Sequence, residues 1–488
     1  MARTADRTLT VICALALPLT AGCRPSDTAS ATPVEEDPVE DVQGPDAAES
    51  PSAQAQQEQD AAAQRRAEEQ AKVEAAAQRI TREVSAAREL PITGEFAVQL
   101  IDKPGVRAFV HEVMYEEMTP EELQLVGRID ASMGVLPVGS DMEQVLLDMY
   151  ELGVLGIYDP KRKTLLIGDY VGRMELGMVV GHEGAHGLQD MHFDLEALNH
   201  MHKGRSDLDT AQTFLIEGDA QAAYLAWVAG DEGLASIGDD LLQLQADAVL
   251  AIDDSMGIPH PILARQLQMP YTDGTMNVLR LARDRGWAAV DALYTELPHS
   301  SEQMLHLDKL AAREPPLPVS VDPQPLLDLA PGHRVAWEDE LGEATLLAML
   351  ADVASPSVAR AAAAGWGGDR FIALERETEP GPAPFLVGVI AWDSTADAKE
   401  FEALFRRYLE THKAQTHTLA RKGKQVLFAT HFAEAGGEAP LDAKAVERAG
   451  WAAFSVGTPR KSGKSARARN QPSSAPAAVL ATTSRSTP

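Results

Sequence analysis

Cysteine is almost absent from this chain of 488 residues, which has only Cys13 and Cys23, both close to the N-terminus. The body of the protein therefore contains no disulfide bond, no cysteine nucleophile and no cysteine ligand for a metal ion. Any metal ion held by the body must be bound by His, Asp or Glu side chains.

Positive charge is also scarce, with 43 Lys and Arg residues against 73 Asp and Glu residues and a formal net charge of -30. A protein that binds nucleic acid must neutralise phosphates with a basic surface, so nucleic acid is not expected as a partner. The length allows two or three domains, and a hydrophobic content of 45% is typical of globular proteins.

No apolar run is long enough to span a bilayer, which requires about 20 residues. The longest one near the N-terminus covers residues 9–19 and follows Arg3 and Arg7, a pattern that predicts an export signal over residues 1–23. The signal ends in LTAGC, which resembles the cleavage box of bacterial lipoproteins. The resemblance implies that Cys23 is lipidated and that the chain is anchored to a membrane of the bacterial cell envelope, in the periplasm or at the outer membrane. Without lipidation of Cys23, the chain would be secreted.

The composition divides the rest of the chain into four segments and a tail. Residues 24–75 are interpreted as a disordered acidic tether, from which a helix leads out between about 61 and 90. Residues 76–312 form a mainly helical domain with a small sheet, and residues 313–329 form a Pro-rich linker. Residues 330–456 form a smaller α+β domain of unknown role, and residues 457–488 form a disordered basic tail. The predicted fold class is therefore α+β.

The most informative stretch is VVGHEGAHGLQD, residues 179–190, in a helix predicted from about 173 to 191 after a β-hairpin at 154–167. Residues four apart share one face of a helix, so His182 and His186 can point their imidazoles at one metal ion. Glu183 sits one position further on, where its carboxylate can reach a water bound to the metal without ligating the metal itself. Zinc would provide the Lewis acid, and Glu183 would act as the catalytic base.

A catalytic zinc site needs a third protein ligand and an open fourth position. The candidate for the third ligand is Glu217, which lies in the sequence LIEGDA on a second helix predicted from about 209 to 230. That helix has an apolar face, so an acid within it requires a partner or solvent.

These residues resemble the gluzincin class of zinc metallopeptidases, in which a glutamate on the following helix completes a His-His-Glu site. More narrowly, they resemble a largely uncharacterised group of bacterial metallopeptidases. The resemblance spans roughly residues 91–455 and rests on HGLQDMHFDL at 186–195, LIEGDA at 215–220, PHSSEQMLH at 298–306 and GWGGDR at 365–370. It implies a zincin-like domain that binds zinc and acts on a peptide or protein, but it brings no known substrate.

The motif departs from the family pattern at Gly184 and Ala185, where family members usually carry bulkier residues. In addition, Gly181, Gly184 and Gly187 lie on adjacent turns of the predicted helix. Each glycine costs about 1 kcal/mol relative to Ala in a helix interior. We therefore expect another element, or a substrate backbone, to pack very close to this helix; a degenerate, inactive site is the alternative.

Other polar side chains near the motif can support the site. Asp190 is a candidate to orient a metal-bound imidazole, with Asp219 and Gln189 as weaker ones. His306, His299 and Tyr271 are candidates to donate a hydrogen bond to the developing oxyanion.

The sequence thus predicts zinc-dependent hydrolysis of peptide bonds in the cell envelope or outside the cell. The main alternative is a non-catalytic envelope lipoprotein whose zinc is structural or absent, and a zinc amidase acting on peptidoglycan peptides is another. A structural zinc would close its fourth position with a protein side chain, for which His192 and Asp190 are the residues to check.

Overall fold

A computed structural model of the protein describes residues 13–15, 53–198, 201–377, 383–411, 416–431 and 441–458. The predicted lipidation site Cys23, most of the predicted export signal and nearly all of the predicted basic tail lie outside the described residues. Within the described part of the chain, no helix is both long and apolar enough to cross a membrane.

The first helix, α1 (Ala53–Arg88), is polar along its first half and packs into the protein along its second half. Its buried apolar side chains begin at Val73 and continue through Ala77, Ile80 and Val84. The helix predicted between about 61 and 90 is present and begins earlier, at Ala53, so the predicted tether does not extend over residues 53–75. Ala, Gln and Glu are strong helix formers. The packed second half supplies a helix that is already nucleated, and the first half extends it at little cost.

A four-stranded sheet contains β1 (Cys13–Leu15), β2 (Ala97–Ile101), β3 (Val154–Asp159) and β4 (Thr164–Gly168) in the order β1-β3-β4-β2. Strands β3 and β4 form the predicted hairpin, and β2 runs parallel to β4. The outer edge of β2 is covered by α1, where the side-chain amide of Gln70 donates to the carbonyl oxygen of Val98 at 2.6 Å and accepts from the N–H of Leu100 at 2.9 Å.

Helices make up most of the first unit. They are α2 (Lys103–Glu117), α3 (Pro120–Met133), α4 (Met142–Gly153), α5 (Arg173–Phe193), α6 (Leu195–Leu198), α7 (Ser206–Ala229), α8 (Asp239–Leu250), α9 (Pro261–Met269), α10 (Thr275–Arg285), α11 (Trp287–Thr295), α12 (Ser301–Leu305) and α13 (Leu307–Ala312). A π-helical turn, Pro270–Gly274, joins α9 to α10. Helices α5 and α7 pack against each other, and their observed ends lie within three residues of the predicted ones.

The C-terminal unit is built on a second, antiparallel sheet with the strand order β6-β7-β8-β10-β9. Its elements are β5 (Val319–Val321), α14 (Gln324–Leu329), β6 (His333–Asp339), α15 (Gly342–Leu350), α16 (Pro356–Ala363), β7 (Trp366–Arg376), β8 (Phe385–Trp392), α17 (Thr395–Thr411), β9 (Thr416–Lys422), β10 (Gln425–His431), α18 (Ala443–Ala453) and β11 (Phe454–Val456). The chain is therefore a mainly helical α+β protein with small sheets, as its fold class predicted.

The predicted Pro-rich linker is wrong in its second half, because residues 319–329 are part of the C-terminal unit. Strand β5 pairs with β11 at the far end of the chain, and α14 packs on α18. Leu326 is fully buried there. Proline is tolerated in loops and at the first turn of a helix, so the prolines do not prevent this segment from folding.

Helix α15 joins the two units into one hydrophobic core. Its side chains from Leu346 to Leu350 are fully buried, which is typical of a helix surrounded on all sides. It packs on α7, α9 and α12 of the first unit and on α16 and α17 of its own unit.

Candidate metal centre

Three ligand atoms meet between α5 and α7. The Nε2 atom of His182 lies 3.2 Å from the Nε2 atom of His186 and 3.2 Å from Oε2 of Glu217, and the Nε2 atom of His186 lies 3.3 Å from the same oxygen. Each of the three residues is at most 1% exposed. The three residues that the sequence predicted as ligands thus form a buried cluster that could hold a metal ion.

The glycines of α5 allow its neighbours to approach closely, as their spacing predicted. A methyl group on Gly181, Gly184 or Gly187 would lie under 3 Å from a neighbouring side chain. The contacted side chains are Tyr224 for Gly181, Thr81 for Gly184 and Phe96 for Gly187. Helices α1 and α7 and the segment before β2 are therefore packed directly against the helix that carries both histidines.

Two glutamines fix the hydrogen positions on the imidazoles. The Nδ1 atom of His182 lies 3.1 Å from Oε1 of Gln221, and the Nδ1 atom of His186 lies 2.8 Å from Oε1 of Gln189. The amide nitrogen of Gln189 donates to the carbonyl oxygen of Ile216, so its oxygen must face His186. Each imidazole therefore carries a hydrogen on Nδ1, and its neutral form turns the lone pair of Nε2 toward the cluster, which is the tautomer that binds a metal through Nε2.

The charge of Glu217 suits the cluster to a cation. Burial alone would raise the pKa of Glu217, but the attraction of His186 and the hydrogen bonds with both imidazoles outweigh it and lower the pKa to about 2. Glu217 is therefore a carboxylate, held in a buried site by the protons that the two imidazoles present to it. A metal ion bound by the Nε2 atoms would take the place of these protons, because a buried carboxylate is costly unless a positive charge lies beside it.

Glu183 is fully buried on α5 beside the ligands but is not one of the clustered ligand residues. Its Oε2 atom accepts a hydrogen bond of 2.8 Å from the backbone N–H of Tyr158 in β3. The hairpin thus holds the carboxylate of the predicted base in a fixed orientation, next to His182 in the chain.

The two predicted orienting acids have different positions. Asp219 does not touch an imidazole, but it accepts a hydrogen bond of 3.0 Å from the Gln189 amide that faces His186. The prediction for Asp190 is wrong, because its carboxylate accepts hydrogen bonds from the Tyr158 hydroxyl and Lys163 of the hairpin, both at 2.7 Å. Its side chain therefore joins α5 to the hairpin rather than orienting a ligand.

Tyr271 is the one candidate oxyanion donor that the structure brings to the cluster. Its ring centroid lies 5.5 Å from that of His182, and its side chain is half-buried. It lies in the π-helical turn, which packs on α7 where Gly218 meets Gly274. Single π-helical turns inside α-helices occur frequently at functional sites.

The close contact between Gly218 and Gly274 leads to a testable prediction about stability. A methyl group at Gly218 would lie 2.6 Å from the carbonyl carbon of Gly274, and backbone cannot rotate away. We expect Gly218→Ala to lower the free energy of unfolding by about 1–3 kcal/mol despite its better helix propensity. Gly177→Ala on α5 is the matched control, because its methyl group would lie 3.7 Å from Trp227. Urea unfolding should show the control to be as stable as the parent or more so; a stabilised Gly218→Ala would contradict the packing.

His299 and His306 lie elsewhere. The backbone N–H of Ser301, two residues after His299, donates to Asp207 at the start of α7. That point is ten residues, or about 15 Å along the helix, from Glu217. The Nε2 atom of His306 lies 2.8 Å from Oε1 of Glu343 in α15, so this imidazole connects the two units of the protein.

Among the residues that the structure describes, no fourth His, Cys, Asp or Glu joins the three ligands. The imidazole of His192 contacts the carbonyl oxygen of Pro91 at 2.6 Å instead. Gln221 was not predicted as a site residue, although its position four residues after Glu217 places both on one face of α7.

Only the C-terminal unit matches a known protein family. Residues 333–457, from β6 to β11, match the family described as Domain of unknown function (DUF8575). No curated protein and no solved structure matches the chain. The matched residues lie after all three candidate ligands, so the family match gives no information on the metal centre.

Proposed function

We propose that the protein is a zinc-dependent hydrolase of peptide bonds that acts in the bacterial cell envelope or outside the cell. The observation that carries the proposal is the buried group of His182, His186 and Glu217, with Glu183 beside it and no fourth protein ligand among the described residues. The lipid anchor at Cys23 and a peptide or protein substrate are parts of the same proposal, and they rest on the sequence.

Zinc is the metal that the ligand set favours. Two imidazoles and one carboxylate are the ligands of gluzincin-type catalytic zinc sites. Ligands about 2.0–2.1 Å from a tetrahedral zinc ion are about 3.3 Å apart. The ligand atoms in the cluster are 3.2–3.3 Å apart, which supports this geometry.

The residues around the cluster have separate roles in the proposed hydrolysis. His182, His186 and Glu217 would hold the zinc ion, which would supply Lewis acidity for the attack of water on the peptide carbonyl. Glu183, held by the N–H of Tyr158, takes a proton from the attacking water and passes it to the leaving amine. Gln221 and Gln189 keep both imidazoles in the tautomer that binds the metal. Tyr271 donates a hydrogen bond to the oxygen of the scissile carbonyl.

The role of Tyr271 can be tested by removing its hydroxyl. We expect Tyr271→Phe to lower kcat by about 10²-fold, because one oxyanion donor contributes this much to catalysis. Zinc content should stay at the parent level, since Tyr271 is not a ligand. A steady-state assay on a cleaved peptide and metal analysis of the same sample make the comparison. Unchanged kcat would remove Tyr271 from the mechanism.

A specific observation favours the non-catalytic alternative, namely that all three ligands and Glu183 are at most 1% exposed. A structural zinc would be equally buried, but it would normally have a fourth protein ligand. The half-buried side chains of Gln221 and Tyr271 beside His182 mark the side from which a substrate could enter.

The test of the proposal combines metal analysis with a substrate screen. The purified protein is expected to contain one zinc ion per chain by inductively coupled plasma mass spectrometry and to cleave members of a peptide library. Peptidoglycan stem peptides in the same screen would identify an amidase. Zinc without any cleavage would favour the structural alternative, and a protein that takes up no zinc after supplementation would refute the proposal.

A further inference from the structure

We propose that Arg88, the last residue of α1, is a positioning residue for the metal ligand His186. This inference rests on the proposed metal site and extends it to the N-terminal helix. Arg88 does not touch the cluster, and it acts through Asp219 and Gln189.

A chain of hydrogen bonds connects the guanidinium of Arg88 to the imidazole. Arg88 donates from Nε to Oδ1 of Asp219 at 2.6 Å and from Nη2 to Oδ2 at 3.2 Å. Oδ2 of Asp219 accepts from the amide nitrogen of Gln189 at 3.0 Å, and the amide oxygen of Gln189 faces Nδ1 of His186 at 2.8 Å. All four residues are at most 2% exposed.

The surroundings restrict movement along this chain. The guanidinium carbon of Arg88 lies 4.5 Å from the centre of the Trp287 ring. The hydroxyl of Tyr294 donates to Asp219 at 2.9 Å, and its ring stacks on Phe193 with a centroid distance of 3.9 Å. The two-pronged contact with Arg88 therefore leaves the carboxylate of Asp219 one orientation, the one that accepts from Gln189.

The orientation of the Gln189 amide decides whether His186 can bind a metal. If the amide rotates by 180°, its nitrogen faces Nδ1 of His186 and donates to it. The imidazole must then carry its hydrogen on Nε2, where no lone pair remains for the metal. Two acceptors of the amide nitrogen oppose this rotation, the carbonyl oxygen of Ile216 and the carboxylate of Asp219. Arg88 fixes the second of them, so docking of α1 completes the support of the metal ligand.

The test is the zinc affinity of the full chain, measured by competition with a chelating indicator. We expect Arg88→Met and Gln189→Met each to weaken zinc binding at least about tenfold, the lower end of the range for groups that orient metal ligands. In the double variant, Arg88→Met should add nothing to Gln189→Met, because both act through the same amide. Additive losses would indicate that Arg88 only stabilises the fold.

Two variants serve as matched controls. Asp291→Asn removes the other carboxylate that pairs with Arg88, at 2.7 Å, and leaves the contacts with Asp219 in place. Arg82→Met changes an exposed arginine of the same helix. Both should bind zinc within twofold of the parent.

Removal of a buried charge can unfold a protein, so circular dichroism must show that each variant is folded. If Arg88→Met does not fold, Arg88→Lys carries the test, because lysine keeps the charge but cannot make the two-pronged contact. Arg88→Lys should weaken zinc binding in the same direction, by less than Gln189→Met does. A folded Arg88 variant with the parent affinity would overturn the inference. A parent protein without zinc affinity would instead refute the proposed function, so the two failures are distinguishable.

Discussion

Replacing Glu183 with Gln is expected to lower the rate of peptide hydrolysis by about 10³-fold while one zinc ion per chain remains bound. The substitution keeps the size and shape of the side chain but removes the group that accepts a proton, and general bases contribute about 10²–10⁴-fold to such reactions. The ligand atoms are unaffected, because Glu183 accepts from the N–H of Tyr158 and is not one of the clustered ligands. Zinc analysis and a kinetic assay on one sample separate the two effects.

Glu175→Gln provides the matched control for this substitution. Glu175 lies in the first turn of the same helix, where its carboxylate accepts from the N–H of Gly172 at 3.0 Å. Glutamine can make the same capping contact, so the rate should stay at the parent level. If Glu183→Gln retained parent activity, the proposed base would be wrong even with zinc in place.

Glu217→Ala is expected to abolish stoichiometric zinc binding and, with it, all hydrolysis. The substitution removes the only carboxylate among the three clustered ligands and leaves two imidazoles on one helix face. A bound metal stabilises only the folded state. At a free zinc concentration of about a thousand times Kd, this stabilisation is about 4 kcal/mol, so a chelator should lower the unfolding free energy of the parent by that amount. A chelator should leave the stability of Glu217→Ala unchanged.

The zinc contents of the Glu183 and Glu217 variants together distinguish the proposed base from the proposed ligand. One glutamate substitution should remove the metal and the other should keep it, although both side chains are at most 1% exposed. Glu217→Gln, which preserves the volume of the side chain, guards against loss of metal through misfolding. Stoichiometric zinc in folded Glu217→Gln and Glu217→Ala would show that the ion is bound elsewhere.

The elements that carry the cluster could be predicted because their signals are local. The hairpin shows apolar runs around a turn, and α5 and α7 have the spacing that places His182, His186 and Glu217 on facing surfaces. The glycines of α5 predicted close packing, since isolated helices would not accumulate their cost.

The residues that support the ligands could not be predicted with the same success. Helical periodicity places Asp190 near the face of His186, but its carboxylate pairs with Tyr158 and Lys163 of the hairpin. The guanidinium of Arg88 reaches Asp219 across 131 residues of sequence, and no local pattern reports such a contact. Tertiary packing decides which of several nearby polar groups contacts an imidazole. The sequence pattern contains no signal for this packing.

Composition also misplaced two boundaries. The composition predicts a tether up to residue 75 and a helix from about 61, yet the helix begins at Ala53 because its second half packs on α5 and α7. The run of prolines predicts a linker, yet Leu326 within it is buried against α18. Both segments gain order from partners that are distant in sequence.

The position of α15 affects when the protein can finish folding during its synthesis. A nascent chain that has emerged only as far as α13 has made every candidate metal ligand. It still lacks the apolar helix that fills the space beside α7, α9 and α12. Helix α15 is in turn covered by α17, which ends at Thr411. We therefore expect the metal-binding unit to keep apolar surface exposed until α15 and α17 have been made, and an exported chain would need protection from aggregation during this interval.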